Sequence, residues 1–426
     1  MARIFIKTYG CTLNQSDSEV MAGILKSAGH EIVHGKEGRE KADIIVINTC
    51  TVKDAPEKKF WYELKTLPKN KKIIVAGCIA QSDHENPKLK NISLVGTRQI
   101  HKIKEAVEQI IAGKTAKFID LKHNARLNLP KLRKNRFVEI IPINAGCTGD
   151  CTYCKTKQAR GELFSYPASD IEKQFCNALN EGVKEIWLTS QDTGAYGLDI
   201  KTGFAELLER LLKYKGDYRI RIGMLNPNHL LKIKDKLLPL IRDSAHVYKF
   251  LHMPLQSGSN KVLKDMNRLY TKEEYASLIA EMRENILGIT IATDIICGFP
   301  SETEQDFEQT LEFCRKIKFD IINISKFFPR KGTRAAAMKK LSTNAVKQRS
   351  SVFSDWFFSN CEENNRKWIG WKGRAYFYEK GKEGTIIGKN IFYRQIVVHG
   401  DDALLGKELE VEITDVGMHD LKGRIV

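Results

Sequence analysis

The sequence predicts an α/β protein made of an N-terminal parallel α/β sheet domain, a central partial TIM-like (βα)6 barrel and a C-terminal small all-β barrel. The chain of 426 residues is long enough for two or three domains. β-rich runs alternate with helical patterns over residues 1–115 and again over residues 137–328, whereas the last sixty residues hold only β-rich runs. We therefore predict domains at residues 1–120, 137–365 and 366–426, with a basic linker at residues 121–136.

The N-terminal elements are predicted from short apolar runs that are separated by helical patterns. Predicted strands cover residues 4–8, 44–48 and 73–76, and predicted helices cover residues 16–28, 56–67 and 100–112. Strands that alternate with helices indicate a parallel sheet.

The central elements repeat this rhythm six times. Predicted strands cover residues 137–143, 185–190, 219–224, 248–253, 289–295 and 321–326. In a TIM-like barrel the active site lies at the C-terminal ends of the strands. A linking helix is predicted at residues 343–365, and the glycine-broken β runs that follow it predict a five-stranded barrel.

The charge of the chain points to a polyanionic partner. The net charge is +17, and residues 121–136 contain six basic residues and no acidic one. These six are Lys122, Arg126, Lys131, Arg133, Lys134 and Arg136. Composition leaves two interpretations open for this segment, a solvated linker or an arm that contacts phosphates.

Targeting signals and disulfides are not expected. The apolar runs are of strand length, and neither end resembles a signal peptide or a membrane anchor. Ten cysteines in such a chain indicate metal binding or buried thiols rather than a disulfide framework. We therefore expect a cytoplasmic protein in a reducing compartment, with no membrane partner.

A cysteine triplet after the first barrel strand is the strongest functional motif. Cys147, Cys151 and Cys154 have the spacing Cx3Cx2C, with Tyr153 before the last of them. A [4Fe–4S] cluster on three thiolates leaves one iron open to an exogenous ligand, and this motif is typical of enzymes that place S-adenosylmethionine there. The alternatives are a zinc site or a chance group of buried thiols, but no His or fourth Cys lies within ten residues.

Three further cysteines follow strands of the N-terminal domain. Cys11, Cys50 and Cys78 each come after a predicted strand. Because the C-terminal ends of parallel strands meet at one edge, the three thiols are expected to converge. The alternative is that small buried cysteines pack there without a common role. Neighbouring glycines and amides favour a second, three-cysteine [4Fe–4S] cluster.

Three sequence blocks resemble the radical S-adenosylmethionine methylthiotransferases along essentially the whole chain. They are residues 8–17 (TYGCTLNQSD), 146–161 (GCTGDCTYCKTKQARG) and 252–259 (HMPLQSGS). The resemblance implies an N-terminal auxiliary-cluster domain, a central radical domain and a C-terminal TRAM domain. It also implies that one cluster cleaves S-adenosylmethionine and that the other carries the sulfur to be inserted.

Lys157 stands where many bacterial members have proline, and the string CKTKxARG is similar to the archaeal and eukaryotic branch. Residues 187–197 (WLTSQDTGAYG) and 293–300 (TDIICGFP) agree with that branch. Members of that branch insert a methylthio group at C2 of N6-threonylcarbamoyladenosine (t6A) at position 37 of tRNA, beside the anticodon, and the resemblance implies the same reaction here. The implied partners are the anticodon stem-loop of tRNA, a sulfur donor and an electron donor such as a flavodoxin or ferredoxin.

Individual site residues follow from the same resemblance and from the predicted strand ends. The residues expected to bind the cofactor are Tyr153, Gln191, Asp192, Arg221 and Gln256. The residues expected to bind the substrate are Lys155, Lys157, Arg160, Arg374, Lys389 and Arg394. A structural role is expected for His252, and Cys176, Cys297, Cys314 and Cys361 are expected to be buried thiols.

Two other functions remain open at this level. The same chemistry can act on isopentenyl-adenosine in tRNA or on an aspartate of a ribosomal protein, although the basic linker and the Lys155 to Lys157 block favour tRNA. A protein of another class would be an iron-sulfur RNA-binding protein without catalysis. Only the enzyme releases methionine and 5′-deoxyadenosine from S-adenosylmethionine.

Overall fold

The fold comes from a computed structural model that describes residues 1–52, 54–68, 70–120, 122 and 126–426. Across these residues, every helix is too short or too polar to span a bilayer. The three predicted parts are present: a parallel sheet domain, a partial barrel and a closed β-barrel. The exact domain boundaries stay predictions.

The N-terminal domain is a parallel sheet with helices on both faces. Its described strands run in the order β2-β1-β3-β4-β5-β6. The strands are β1 Arg3–Thr8, β2 Glu31–Val33, β3 Ile44–Thr49, β4 Lys72–Gly77, β5 Ser93–Gly96 and β6 Lys117–Phe118. The helices are α1 Thr12–Ser27, α2 Gly35–Lys41, α3 Asp54–Thr66, α4 Cys78–Ser82 and α5 Ile103–Ile111, with 3-10 turns at Pro87–Leu89 and Ile100–Lys102.

Burial on both faces explains why β3 lies in the middle of this sheet. All six of its residues are buried. Ile44 and Val46 pack into one core, and Ile45 and Ile47 pack into the core on the opposite face. A continuous apolar run is typical of a parallel strand that is covered on both sides. The three predicted strands are confirmed, while the short strands β2, β5 and β6 carry too weak an apolar pattern to be predicted.

The central domain is an open barrel of parallel strands. The strands are β7 Val138–Pro142, β10 Glu185–Thr189, β11 Arg219–Ile222, β12 Phe250–His252, β13 Thr290–Cys297 and β14 Ile321–Lys326, and a small hairpin joins β8 Asn144–Ala145 to β9 Phe164–Ser165. The two three-stranded sheets, β7-β10-β11 and β12-β13-β14, are linked by the bridge between Ile220 and Val247. Neighbours in space are therefore neighbours in sequence, as in a TIM-like barrel.

Helices connect and follow the strands of this barrel. They are α6 Thr156–Arg160, α7 Ala168–Asn180, α8 Phe204–Leu211, α9 Pro227–Asp243, α10 Asn260–Asp265, α11 Lys272–Asn285, α12 Glu304–Ile317, α13 Arg334–Ala337 and α14 Thr343–Asn365, with 3-10 turns at Thr193–Ala195 and Arg366–Trp368. Ile141, Leu188 and Ile222 point from the strands into the core shared with these helices. Their neighbours Ile140, Trp187 and Arg221 therefore face the barrel interior, because side chains alternate along a strand.

The C-terminal domain is a closed barrel in the order β15-β16-β17-β19-β18. Its strands are β15 Lys372–Lys380, β16 Thr385–Asn390, β17 Gln395–His399, β18 Glu408–Val416 and β19 Leu421–Ile425, with a 3-10 turn at Asp402–Leu404. The side chains of Tyr376 and Tyr378 in β15 point out of this barrel and pack on Val138 and Ile140. The C-terminal domain therefore closes one end of the central barrel.

Three of the six basic residues in this segment, Arg126, Lys131 and Arg133, form ion pairs with buried carboxylates. Arg126 forms an ion pair with Asp17 of α1. Lys131 lies 3.3 Å from Glu19 and 2.6 Å from Glu139, so it joins the first two domains. Lys134 and Arg136 remain exposed. The paired residues differ from both interpretations because composition does not reveal their buried carboxylate partners. The exposed residues fit a contact with phosphates.

Candidate iron-sulfur site

The central triplet lies in the loop that follows β8. The backbone N–H of Gly149 donates to the Cys147 sulfur at 3.2 Å, and the N–H of Thr156 donates to the Cys154 sulfur at 3.3 Å. Gly146 turns the chain into this loop with a φ of +76°, and a Cβ there would lie 1.9 Å from the Glu162 carbonyl oxygen. Backbone donors to sulfur are what a thiolate-bound cluster requires.

Arg268 adds a cation that sequence reasoning missed. Its Nη1 donates to the Cys151 sulfur at 3.3 Å, while its Nη2 donates to the Asn226 side-chain oxygen at 2.6 Å. Arg268 follows α10 and is more than one hundred residues from the triplet. No local pattern marks it, because only the barrel brings this turn back to the loop.

Asp192 has its hydrogen bonds filled by the protein. It accepts from the N–H groups of Gly194 and Asn226 at 3.1 Å each, and His229 Nδ1 lies 2.6 Å from its other oxygen. The opposite ring nitrogen of His229 lies 3.4 Å from the Thr148 hydroxyl, inside the cysteine loop. Asp192 therefore anchors the loop after β10, and its contact with the cofactor stays a prediction.

Unpartnered buried oxygens mark the surroundings of the expected cofactor. Within the described residues, the side-chain oxygens of Ser190, Gln191 and Gln256 are buried without a hydrogen-bond partner. Gln256 also has a φ of +74°, which is rare for a residue other than glycine. Buried acceptors that lack a donor are costly, so they are suited to a ligand with N–H or O–H groups.

Tyr153 and Arg221 occupy different environments. Tyr153 packs edge-on against Phe299 at 6.5 Å between ring centroids. Arg221 lies in the barrel interior, with its guanidinium 5.6 Å from the Trp187 ring and 5.4 Å from the Tyr393 ring. Its Nε is buried without a hydrogen-bond partner in the described chain.

The N-terminal triplet converges as the parallel sheet predicts. Cys11 follows β1, Cys50 follows β3, and Cys78 begins α4 after β4. The Asn14 side-chain oxygen lies 3.5 Å from the Cys11 sulfur and 3.9 Å from the Cys78 sulfur. At Gly10 an added Cβ would lie 2.8 Å from the Cys50 sulfur. The three thiols therefore share one small region at the strand ends.

Burial raises the pKa of some thiols in each triplet. It raises the pKa of Cys50 and of Cys147 to about 12. Burial also raises the pKa of Cys78, against the opposing charge of the nearby Arg160 guanidinium. These thiols are protonated near neutral pH, so a metal that binds them as thiolates releases protons.

Both triplets offer donor sets that fit iron-sulfur clusters. Among residues that the structure describes, no three His, Cys, Asp or Glu side chains are grouped tightly enough for a single metal ion. The fit of each triplet to a cluster of several iron atoms rests instead on three thiols in a common environment, on backbone N–H donors and on nearby guanidinium groups. These are the features that hold and tune cluster thiolates.

Helix α6 joins the two triplets across the domain boundary. It begins two residues after Cys154 and packs against α4, which begins at Cys78. Lys155 donates to both carboxylate oxygens of Asp83 at 2.6 Å. Arg160 at the other end donates to Asp17 at 3.0 Å. The side chains of Lys155 and Arg160 are therefore buried between domains, not open to a substrate as the sequence suggested.

The remaining expected RNA contacts divide into exposed and buried residues. Lys157 is half-exposed beside Glu162, and the side chain of Arg374 is 73% exposed. Lys389 lies 3.6 Å from the centroid of the Tyr393 ring and 3.9 Å from Glu185 in the contact between barrels. Arg394 is buried and pairs with Asn365. Lys389 and Arg394 thus already have partners within the protein, in the contacts between domains.

The other cysteines lie in the core of the central domain. Cys297, Cys314 and Cys361 are buried there, and Cys176 is packed against the same core. The prediction of a buried thiol is confirmed for Cys297, Cys314 and Cys361, whereas Cys176 is only partly buried. Burial raises the pKa of Cys297 to about 12.

Three family models match consecutive parts of the chain. Residues 3–95 match the Uncharacterized protein family UPF0004, residues 141–314 match the Radical SAM superfamily, and residues 374–426 match the TRAM domain. A solved structure of the radical S-adenosylmethionine methyltransferase TsrM from Kitasatospora setae, with cobalamin and a [4Fe-4S] cluster bound, has a TM-score of 0.56. The identity is 13%, and the match covers 79% of this chain and 77% of that one, so it shows the fold alone.

Curated relatives match from end to end. The threonylcarbamoyladenosine tRNA methylthiotransferase of Xenopus laevis is 40% identical over 434 residues, which cover 100% of this chain and 77% of the relative. The probable threonylcarbamoyladenosine tRNA methylthiotransferase of Pyrococcus horikoshii is 38% identical over the whole of both chains. The chain therefore belongs to the family of radical S-adenosylmethionine enzymes called threonylcarbamoyladenosine tRNA methylthiotransferases.

Proposed function

We propose that this enzyme replaces the C2 hydrogen of t6A at position 37 of tRNA, beside the anticodon, with a methylthio group. The family membership supports methylthiolation of tRNA. The observation that carries the proposal is the short helix α6, which begins just after one cysteine triplet and packs on the helix that begins with the other. Sulfur insertion at an unactivated aromatic carbon requires both triplets to serve one cavity.

The six cysteines are the proposed ligands of two [4Fe–4S] clusters. Cys147, Cys151 and Cys154 hold the cluster at the S-adenosylmethionine site, and Cys11, Cys50 and Cys78 hold the auxiliary cluster. When bound, the clusters would supply the electron and the inserted sulfur, and S-adenosylmethionine would supply the methyl group and the radical chemistry.

The chain itself positions these groups. Arg268 holds the Cys151 sulfur, and the pair of Asp192 with His229 fixes the cysteine loop against β10. Gln191 and Gln256 offer buried oxygens to the amino group or hydroxyls of S-adenosylmethionine. His252, the last residue of β12, lies 2.9 Å from Asp294 in the middle of the neighbouring strand β13.

RNA recognition is proposed for the exposed basic side chains. Lys157 and Arg374 remain accessible to phosphates, and Lys134 and Arg136 extend this positive surface. The target base has to leave its stack to reach a site inside the barrel, which is easier in an anticodon loop than in a duplex. A reductant such as a flavodoxin or ferredoxin and a sulfur donor complete the proposed partners.

The experiment is mass spectrometry of nucleosides after the reduced, iron-reconstituted protein has acted on tRNA with S-adenosylmethionine. The matched substrates are tRNA that carries t6A, tRNA that carries isopentenyl-adenosine and unmodified tRNA. We expect a new nucleoside from the first alone, heavier by a thiomethyl group in place of hydrogen. Fragmentation that keeps the added mass on the base, with loss of a C2 deuterium label, assigns the position.

Other outcomes would contradict the proposal at different levels. A product from isopentenyl-adenosine alone would move the acceptor while keeping the chemistry. Release of 5′-deoxyadenosine without any methylthio nucleoside would remove tRNA t6A as the acceptor. A fully loaded protein that binds tRNA and leaves S-adenosylmethionine intact would be an iron-sulfur RNA-binding protein without catalysis.

A further inference from the structure

Arg160 reaches from the radical domain into the auxiliary triplet. It ends α6, six residues after Cys154, and is 2% exposed. Its Nη2 donates to the Asn14 side-chain oxygen at 2.9 Å and to Asp17 at 3.0 Å. Both partners belong to α1, which begins directly after Cys11. A side chain from one domain therefore completes the wall of the other domain's site.

Asn14 links this guanidinium to the sulfur atoms. The oxygen that accepts from Arg160 is the same oxygen that lies 3.5 Å from the Cys11 sulfur and 3.9 Å from the Cys78 sulfur. The amide nitrogen of Asn14 is held by the Thr49 carbonyl oxygen at 2.6 Å, so the orientation of the amide is fixed. A single side-chain oxygen thus lies near the guanidinium and both thiols.

The charges buried around this point do not balance within the protein. Asp17 is fully buried and pairs with two arginines, Arg126 and Arg160. In the described chain the Nη1 of Arg160 and the Nε of Arg126 are buried without any hydrogen-bond partner. A buried cation without an anion is strongly unfavourable, so this group of two cations and one anion is suited to a further negative charge.

We propose that Arg160 is a positioning residue whose charge stabilises the anionic auxiliary cluster and raises its reduction potential. The inference rests on the proposed assignment of Cys11, Cys50 and Cys78 as ligands of that cluster. Net charge and hydrogen bonds near the sulfurs set the potential of an iron-sulfur cluster. Because Arg160 belongs to the radical domain, the auxiliary cluster reaches its working potential only when the two domains are docked.

The test measures the midpoint potential of the auxiliary cluster alone. The full-length protein carries Cys147→Ala, Cys151→Ala and Cys154→Ala, so that only the N-terminal triplet binds iron. Electron paramagnetic resonance follows a redox titration of this protein with Arg160, with Arg160→Lys and with Arg160→Met. We expect Arg160→Met to shift the potential to a more negative value and Arg160→Lys to retain most of the original value.

Two further variants separate charge from packing. Asp17→Asn removes the anion from the same group, so it is expected to shift the potential in the opposite, more positive direction. Arg330→Met is the matched control, because Arg330 is also a buried arginine between domains, paired with Glu57, but has no contact with a cysteine among the described residues. It is expected to leave the potential unchanged.

The outcomes distinguish this inference from the function on which it rests. A loaded cluster whose potential is the same in Arg160→Met, or moves equally in Arg330→Met, overturns the role of Arg160 and leaves the auxiliary cluster intact. Shifts of the same sign in Arg160→Met and Asp17→Asn also overturn it, because packing rather than charge would then be responsible. If the protein that carries Cys147→Ala, Cys151→Ala and Cys154→Ala binds no iron, the assignment of the N-terminal triplet as cluster ligands is wrong. This inference is then wrong as well.

Discussion

The two cysteine triplets differ in how the chain assembles them. Cys147, Cys151 and Cys154 lie in a single loop and are half-buried, whereas Cys50 and Cys78 are fully buried and, with Cys11, come from three strand ends. The loop triplet is organised by its own backbone N–H groups. The strand-end triplet depends on Asn14, Asp17 and Arg160. The ligands of the loop triplet thus come from one short segment, whereas those of the strand-end triplet are brought together by a folded sheet and contacted by a helix of the second domain.

The largest expected effect separates the two triplets by chemistry. Replacement of Cys147, Cys151 and Cys154 by alanine is expected to abolish release of 5′-deoxyadenosine. Replacement of Cys11, Cys50 and Cys78 is expected to keep that release and to abolish the methylthio nucleoside, because only sulfur delivery is lost. Chromatography of both products, with Cys176→Ala as a control that retains both, checks this. Loss of both products in both triple variants would contradict the division of labour.

The second expected effect concerns the cation at the loop triplet. Arg268→Met removes the donor to the Cys151 sulfur, and loss of such an outer partner lowers metal affinity or activity by roughly 10–100-fold. Iron content and the rate of 5′-deoxyadenosine release are measured together. Arg283→Met is the matched control, since Arg283 donates to the carbonyl oxygens of Ile317 and Lys318. Equal losses in the two variants would assign the effect to general stability.

The third expected effect compares a glycine from each triplet. Gly10 has a φ of +117°, and a Cβ there would lie 2.5 Å from the Cys50 Cβ, whereas at Gly149 the nearest atom is the Cys147 sulfur at 3.3 Å. Gly10→Ala is expected to cost about 1–3 kcal/mol of strain and to reduce auxiliary iron several-fold. Gly149→Ala is expected to be milder. Thermal unfolding and iron content measure both, and the reverse order would contradict the geometry.

The smallest expected effect compares two basic residues of the C-terminal barrel. Arg374→Ala is expected to change stability by about 0–1 kcal/mol, because its ion pairs are long and exposed, and to reduce the salt slope of tRNA binding by about 1. Lys389→Met is expected to weaken the contact between barrels instead, because Lys389 is buried there. Binding titrations at several salt concentrations and thermal unfolding distinguish the two; a lower salt slope for Lys389→Met would contradict its buried position.

Strong local patterns account for the parts of the fold that sequence predicted. The apolar run of β3 and the six barrel strands are continuous enough to identify a strand without its neighbours. The five-residue helix α4 and the two-residue strand β6 are too short for any period to emerge. They form because neighbouring strands offer unpaired backbone groups and apolar faces.

The basic residues show where sequence reasoning stops. Lys155, Arg160, Lys389 and Arg394 have the composition of an RNA surface, yet each is buried against another domain. Arg268, which contacts the Cys151 sulfur, carries no recognisable motif of its own, whereas Asn14, which contacts the Cys11 sulfur, lies in the block at residues 8–17. The partner of a charged side chain depends on distances between segments far apart in sequence, and local spacing does not encode these distances.

By itself the sequence determined the order of the three domains, the three-cysteine loop and the ends of the strands that carry the other thiols. Thiolate chemistry and strand periodicity are local properties, so they can be read along the chain. Tertiary structure alone decided that α6 joins the two triplets and that Arg160 and Arg126 surround Asp17. Burial of charge is a property of packed domains, because only close packing removes the water that would otherwise solvate each group.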